Sequence, residues 1–213
     1  MSISAKTIAD LRAQTGAGIM DCKKALAETG GDMAKAVEYL QKKSLAAVGK
    51  RADKVAAEGA VGSYIHDGRI GVLVELNCET DFVGRGEDFQ KLLKDIAMHI
   101  AAMNPTYLDA SEIPADVTAK QREIFAARNE GKPAAMMDKI VDGQIRKWHS
   151  DVCLLQQEFF KEEKKTVADI VTEVAAVIKE NIKVRRFVRF ELGAGIVREA
   201  TDFAAEVAAT AGV

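Results

Sequence analysis

The sequence predicts an α+β fold in which helices cover a three-stranded antiparallel sheet. Residues 70–76 are apolar at every even-numbered position, and residues 184–192 alternate between arginine and apolar side chains for most of their length. Both patterns are typical of half-buried strands. Between them, apolar residues from Phe89 to Ile100 repeat at helical spacing. Sheet and helices would each bury one face, so we expect them to share a core.

Composition limits the class of protein. The chain has 213 residues, of which 48% are hydrophobic, so it is long enough to bury a core in one or two domains. Its net charge of −2 disfavours nucleic-acid binding, which needs a strongly basic surface, and favours a protein partner. No run approaches the roughly 20 apolar residues of a membrane span, and the N-terminus lacks the hydrophobic region of a signal peptide. We expect a cytoplasmic protein that binds neither membrane nor nucleic acid.

The sequence contains no pattern typical of a metal site or an enzyme active site. Cys22, Cys78 and Cys153 form no CxxC pair, which argues against a zinc site or a disulfide framework. No GxxxxGK[ST] loop is present, and the histidines lack metal-ligand spacing. His99, on an amphipathic helix, is interpreted as a structural residue. We therefore expect no catalytic residue, no cofactor and no bound metal.

The first 43 residues are predicted to form a domain of three short helices. Gly16 and the pair Gly30-Gly31 are suited to end helices, and Asp32 is suited to cap the third. Residues 44–59 are basic and alanine-rich, and we interpret them as a linker that could be helical. A nucleic-acid arm would need more charges and interleaved aromatic residues.

The core is predicted to span residues 60–200 and to begin with a β-hairpin. Residues 60–66 form its first strand, and Asp67-Gly68 is a strong signal for the turn. The second strand should end near Asn77, and a helix should start near Glu87 or Asp88.

Thr80-Asp81-Phe82-Val83 therefore lies on a connection between a strand and a helix. Connections run over the surface and do not normally present phenylalanine to water. Two explanations of Phe82 are open at this point: it folds back onto its own core, or another molecule receives it.

The second half of the core is expected to be mostly helical. Residues 116–165 are predicted to form a helical hairpin, and the apolar run at 152–160 is expected to be buried. Thr166 is suited to cap a helix whose apolar face should lie on the sheet. Residues 201–213 are predicted to form a C-terminal helical module, in which a second Thr-Asp-Phe sits among strong helix formers.

Three blocks of the sequence are similar to one protein family. They read TGAGIMDCKKAL at 15–26, NCETDFV at 77–83 and EATDFAAEVA at 199–208. Together they resemble elongation factor Ts, the nucleotide exchange factor of elongation factor Tu in bacterial-type translation. The blocks occur in the family's order and span nearly the whole chain, and a twelve-residue block rarely arises by chance. The resemblance implies a ubiquitin-associated-like module at 1–43 and a protruding coiled coil at 116–165.

The same resemblance implies a mechanism. In the family, an Asp-Phe pair enters the nucleotide domain of elongation factor Tu, disturbs the coordination of Mg²⁺ and releases GDP so that GTP can bind. The residues carried over are, for this insertion, Thr80, Asp81, Phe82 and Val83, and, for other partner contacts, Met20, Asp21, Lys23 and His66. The segment Gly84-Arg85-Gly86 departs from the family's usual continuation, and its extra backbone freedom would loosen the insertion.

A binding module of another class is the alternative function. The helical domain would then recognise ubiquitin-like or nascent-chain partners, as an adaptor or chaperone without exchange activity. The effect of the protein on nucleotide release discriminates between the two.

The number of core repeats in the sequence bears on the oligomeric state. Many members of the family carry two related core repeats, whereas this sequence has one hairpin followed by one NCETDFV block. A lone sheet leaves edges and a face uncovered, which an identical chain can close about a twofold axis. We expect a homodimer; the competing possibility is that the coiled coil and the terminal helix cover the sheet within one chain.

Overall fold

A unit of three helices opens the chain, which in this computed structural model is described for residues 3–196. The helices are α1 (Ala5–Thr15), α2 (Ile19–Glu28) and α3 (Met33–Arg51). Gly16 ends α1 at a left-handed φ of 66°, and the Asp32 carboxylate accepts the Lys35 N–H at 3.1 Å to cap α3. These helices and caps confirm the prediction. We call α1 to α3 the helical head; its buried side chains are Leu11, Cys22, Ala25, Leu26, Ala36 and Leu40.

The segment interpreted as a linker is partly helical. Residues 44–51 continue α3, and the first strand begins at Glu58. The division of the chain at 43, 59 and 200 stays a prediction. The C-terminal module predicted at 201–213, with its second Thr-Asp-Phe, lies outside the described residues.

A three-stranded antiparallel sheet forms the centre of the core, as predicted. Its strands are β1 (Glu58–His66), β2 (Ile70–Cys78) and β3 (Lys183–Glu191), in the order β1-β2-β3. Asp67 and Gly68 make the turn with φ values of 48° and 66°, and the Arg69 N–H closes it onto the His66 carbonyl at 2.9 Å. β2 ends one residue beyond the predicted Asn77.

Two helices follow β2 closely. They are α4 (Asp81–Gly84), a single turn, and α5 (Glu87–Met103), whose start agrees with the prediction. α5 packs across β1 and β2. Its buried side chains, which include Phe89, Ile96 and Ile100, meet the inward-facing residues of β2, which are Val72, Val74 and Leu76. One face of the sheet is thereby covered.

The helical hairpin consists of α6 (Ala115–Arg128) and α7 (Ala134–Val152), which pack against each other. Arg122 pairs with Asp142 at 2.6 Å, and the amide of Asn129 donates to Gln144 at 2.9 Å. Polar contacts thus join the two helices. α6 buries no side chain fully, so this part of the molecule is thinly packed.

The apolar run at 152–160 is largely buried, as predicted. Cys153, Leu154 and Phe159 are buried, whereas Phe160 remains 42% exposed. Burial raises the pKa of the Cys153 thiol to about 11, so this thiol stays protonated at neutral pH. Beside the run, buried His99 lies 3.0 Å from Gln157 and accepts the Phe160 N–H at 3.3 Å. Burial lowers the pKa of His99, and the neutral ring is a structural residue, as predicted.

One helix lies elsewhere than predicted. Thr166 and Asp169 form a capping box at the start of α8 (Val167–Ile178), which confirms the cap. The sequence predicts that this helix lies on the sheet; its main contacts are instead with α3, α5 and residues 154–156. The sheet face is occupied by α5, which follows β2 through a short connection. Within residues 3–196 no helix has the length and apolar content that crossing a membrane requires.

Candidate partner-binding site

Phe82 projects into solvent from α4. Its side chain is 82% exposed, so the structure excludes the explanation that it folds back onto its own core. The sequence predicts a connecting loop here, whereas the chain forms a helical turn capped by Thr80, whose hydroxyl accepts the Val83 N–H at 3.4 Å. We call residues 80–84 the Phe82 turn. It presents one large apolar ring on an ordered support.

Small residues let the Phe82 turn lie directly on the sheet. Gly84 is buried, and a Cβ added to it would come within 3.1 Å of the Gly59 backbone in β1. Val83 packs against the core beside it. Gly86 has an ordinary φ of −68° and precedes α5. The sequence predicts that residues 84–86 loosen the turn. One of them, Gly84, is instead the residue whose lack of a side chain allows the turn to approach the sheet closely.

Polar groups from distant parts of the chain hold the start of the turn. Glu180, just after α8, accepts the N–H groups of Glu79 and Thr80 at 3.0 and 3.1 Å and the Thr80 hydroxyl at 2.7 Å. Glu79 in turn accepts from the Asn181 N–H at 2.8 Å and from Arg51 at the end of α3. Two hydrogen bonds hold the pKa of Glu79 below its ordinary value: the larger effect comes from the Asn181 N–H and the next from Arg51.

Sequence reasoning missed these supporting residues. Glu180 and Arg51 lie far from the NCETDFV block in the chain, and nothing in the sequence distinguishes Glu180 from other surface glutamates. Only the polar flank of the block, Glu79-Thr80, could have suggested a need for partners.

Asp81 stays accessible beside Phe82. Its carboxylate accepts from Arg85 one helical turn later at 3.0 Å, and the two side chains are 64% and 82% exposed. Exposed ion pairs of this kind contribute little to stability and separate easily. Asp81 can therefore exchange Arg85 for a group on another molecule.

The residues predicted in the helical head fall into two groups. Met20 is 74% exposed and Lys23 is exposed, so both can be contacted by a partner. Asp21 is instead engaged within the chain, 2.8 Å from Lys43 and 3.5 Å from Lys179. The hydrogen bond from Lys43 is the main cause that lowers the pKa of Asp21. Asp21 thus ties the head to the end of α8.

The structure brings the head residues close to the Phe82 turn. Lys179 pairs with Asp21 of the head, and the next residue, Glu180, binds Thr80 of the turn. His66 lies elsewhere, at the opposite end of the β-hairpin, roughly 25 Å along the strands at about 3.3 Å per residue. Its ring lies 3.0 Å from the Tyr64 hydroxyl.

The described part of the chain brings no cluster of metal-binding side chains together. No three His, Cys, Asp or Glu side chains within residues 3–196 are placed to hold an ion.

Comparison with known proteins decides the family. The family model described as Elongation factor TS matches residues 5–194. The chain belongs to the elongation factor Ts family. Proteins named Elongation factor Ts from Geobacter metallireducens and Geobacter sulfurreducens are 57% and 54% identical to it over 216 residues, with 100% of each chain covered. The one from Desulforamulus reducens is 56% identical over 210 residues, with 97% of each chain covered.

Membership of the elongation factor Ts family confirms the resemblance drawn from the three sequence blocks. It makes the chain a translation elongation factor and does not favour the adaptor or chaperone alternative. The block at 15–26 lies in the helical head, and the block at 77–83 runs from the end of β2 into the Phe82 turn.

Proposed function

We propose that the chain is the guanine nucleotide exchange factor of elongation factor Tu and has no chemistry of its own. The observation that carries this proposal is the exposed Phe82 ring on an ordered turn within the NCETDFV block. An aromatic ring held at the surface is the kind of side chain that anchors a protein interface. The family assignment names the activity that the ring would serve.

The Phe82 turn acts by insertion into the nucleotide domain of elongation factor Tu. Phe82 enters between elements of that domain, and Asp81 follows it toward the nucleotide and Mg²⁺ site. Thr80 and Val83 orient the turn, since Thr80 caps it and Val83 packs it against the core. Tight binding of nucleotide depends on the phosphate loop and the metal, so disturbing them speeds the release of GDP.

Thermodynamic linkage explains why binding of the factor promotes the release of GDP. A factor that binds the empty state of elongation factor Tu better than the GDP state lowers the affinity for GDP by the same ratio. GTP then rebinds and displaces the factor. The factor itself supplies no cofactor, metal or catalytic group.

The helical head supplies a second contact. Exposed Met20 and Lys23 lie on the α2 surface, and Asp21 beside them is held by Lys43 and Lys179. We assign the head as a ubiquitin-associated-like module that docks on the same partner, and the α6–α7 hairpin as the family's coiled coil. His66, at the far end of the sheet, would reach a more distant part of the partner.

A homodimer is part of this proposal. The face of the sheet away from α5 carries exposed apolar side chains at matching positions of the three strands, where Leu73 of β2 lies opposite Val188 of β3. We call this surface the outer sheet face; its apolar members are Val61, Ile65, Leu73, Val188 and Phe190. None of the described elements covers it, and large exposed apolar patches mark interfaces. A second copy about a twofold axis would bury it.

Cellular context completes the proposal. Elongation factor Tu works where proteins are made, so we place the chain in the cytoplasm, with no membrane or nucleic-acid partner. Free and buried Cys22, Cys78 and Cys153 fit a reducing compartment.

The decisive experiment measures GDP release. Elongation factor Tu loaded with fluorescent GDP is mixed with excess unlabelled nucleotide in a stopped-flow instrument, with and without this protein. We expect a release rate that rises with the concentration of the factor and then saturates. An unchanged rate across the micromolar range would overturn the exchange function and restore the adaptor alternative.

A further inference from the structure

Glu180 lies in the short connection between α8 and β3, close to the Phe82 turn. The residue before it, Lys179, ends α8 with a left-handed φ of 66°, which is unfavourable for a residue with a Cβ. This conformation reverses the chain between α8 and β3. It aims the Glu180 carboxylate at the backbone that leaves β2.

Both oxygens of the Glu180 carboxylate are engaged. Its two oxygens accept three hydrogen bonds, from the N–H groups of Glu79 and Thr80 and from the Thr80 hydroxyl, at 2.7 to 3.1 Å. Bonds to an ionised acceptor are stronger than neutral ones. They fix both the backbone and one side chain at the start of the turn.

The Thr80 hydroxyl passes this restraint on to α4. A hydroxyl donates one proton, and that proton points to Glu180, so its lone pairs are free to accept the Val83 N–H and cap the helix. α4 has only four residues, which is too short to be stable without such support. The direction in which Phe82 projects therefore depends on Glu180.

We infer that Glu180 is a positioning residue for nucleotide exchange, which acts by holding the Phe82 turn in the orientation that inserts into the partner. This inference rests on the proposed function. Glu180 itself lies outside the hydrophobic core, so its loss should release the turn and leave the fold intact.

The test compares Glu180→Ala, Phe82→Ala and the double variant with the wild-type protein. Stopped-flow GDP release gives the maximal rate and the half-saturating concentration of factor, and amide hydrogen exchange by NMR reports on Thr80 and Val83. Glu173→Ala is the matched control, because it removes an exposed α8 carboxylate that pairs with Lys165 and not with the turn.

For Glu180→Ala we expect faster exchange of the Thr80 and Val83 amides and a maximal release rate lower by about ten-fold. The half-saturating concentration should change less, because docking through the head is unaltered. The double variant should be no slower than Phe82→Ala alone, since Glu180 acts through Phe82. Glu173→Ala should behave as wild type.

The outcomes separate two failures. If Phe82→Ala slows release while Glu180→Ala does not, or if their effects add, the positioning role is wrong and the exchange function stands. If Phe82→Ala releases GDP at the wild-type rate, the proposed insertion fails and the role of Glu180 fails with it. Should Glu180→Ala lose its fold, Glu180→Gln keeps the size and one acceptor oxygen; a wild-type release rate in that folded variant, despite faster exchange of the Thr80 and Val83 amides, would also overturn the inference.

Discussion

Arg51 and Glu79 fasten the helical head to the sheet. Nη1 of Arg51 lies 2.8 and 3.0 Å from the two carboxylate oxygens of Glu79, which joins the last turn of α3 to the residue after β2. The Glu79 side chain is only 17% exposed, and the Asn181 N–H also donates to its Oε1 at 2.8 Å. The Glu79 carboxylate thus joins the head to the core, directly before the Phe82 turn.

This carboxylate predicts an acid dependence of stability. The Asn181 N–H and Arg51 hold the pKa of Glu79 below its unfolded value, so its stabilising effect is complete above about pH 4.3 and is lost as pH falls through the folded value. We expect Glu79→Gln to lower the melting temperature at about pH 6 and to differ less from wild type at about pH 3. Glu38→Gln, in a loose and exposed pair, is the control. Equal differences at both pH values would contradict the assignment.

Phe82→Ala should keep the fold and lose most exchange activity. The ring is 82% exposed, so its truncation should change the free energy of unfolding by less than roughly 0.5 kcal/mol. Anchors of interfaces typically contribute about 2 kcal/mol or more. Circular dichroism and stopped-flow GDP release measure the two quantities. Val55→Ala, at a side chain 81% exposed, should retain activity; a folded Phe82→Ala variant with normal exchange would refute insertion.

Lys23→Glu should weaken complex formation without abolishing exchange. The change reverses one charge on the exposed surface of the head, away from the insertion itself. Calorimetric titration into nucleotide-free elongation factor Tu should show weaker binding, and release at saturating factor should approach the wild-type rate. Lys6→Glu on α1 is the matched charge reversal. Equal affinities for both variants and wild type would place Lys23 among solvent-facing lysines.

Gly59 should tolerate no side chain. Its φ is 130°, and a Cβ would overlap the Leu76 carbonyl of β2. We expect Gly59→Ala to destabilise the protein by roughly 1–3 kcal/mol in denaturant unfolding. Gly49→Ala, inside α3 with open space around its Cβ, should instead stabilise by about 0.5–1 kcal/mol. Opposite changes in the free energy of unfolding for the two variants would confirm that Gly59 is tightly packed beneath the Phe82 turn, with Gly49 as the control.

The outer sheet face predicts the oligomeric state. Light scattering under reducing conditions should give twice the chain mass of 23.0 kDa for wild type. Phe190→Asp places a charge on a surface that a dimer would bury and should give the monomer mass. Met136→Asp, on the helical hairpin, should remain dimeric. A wild-type mass near 23.0 kDa across the micromolar range would show that the monomer is complete.

Local patterns account for what the sequence predicted. Period-two alternation and Asp67-Gly68 located the hairpin, and Asp32 and Thr166 located helix starts, because each signal acts within a few residues. The position of α8 was not predictable in this way, since its apolar face fits a helix as well as a sheet. The turn at Phe82 is too short to show periodicity, and its anchor at Glu180 comes from a contact between residues about one hundred positions apart.

The placement of β3 beside β2 also orders the folding of the chain. Residues 79–182 separate these neighbouring strands, so closing their ladder costs the loop entropy of a long intervening segment and is slow compared with the local hairpin. On a ribosome, β1 and β2 emerge well before Glu180 and β3. A nascent chain that stops before Glu180 would contain the whole NCETDFV block and still lack the hydrogen bonds that support its Phe82 turn. Exchange activity should therefore begin only after Glu180 and the last strand have been made.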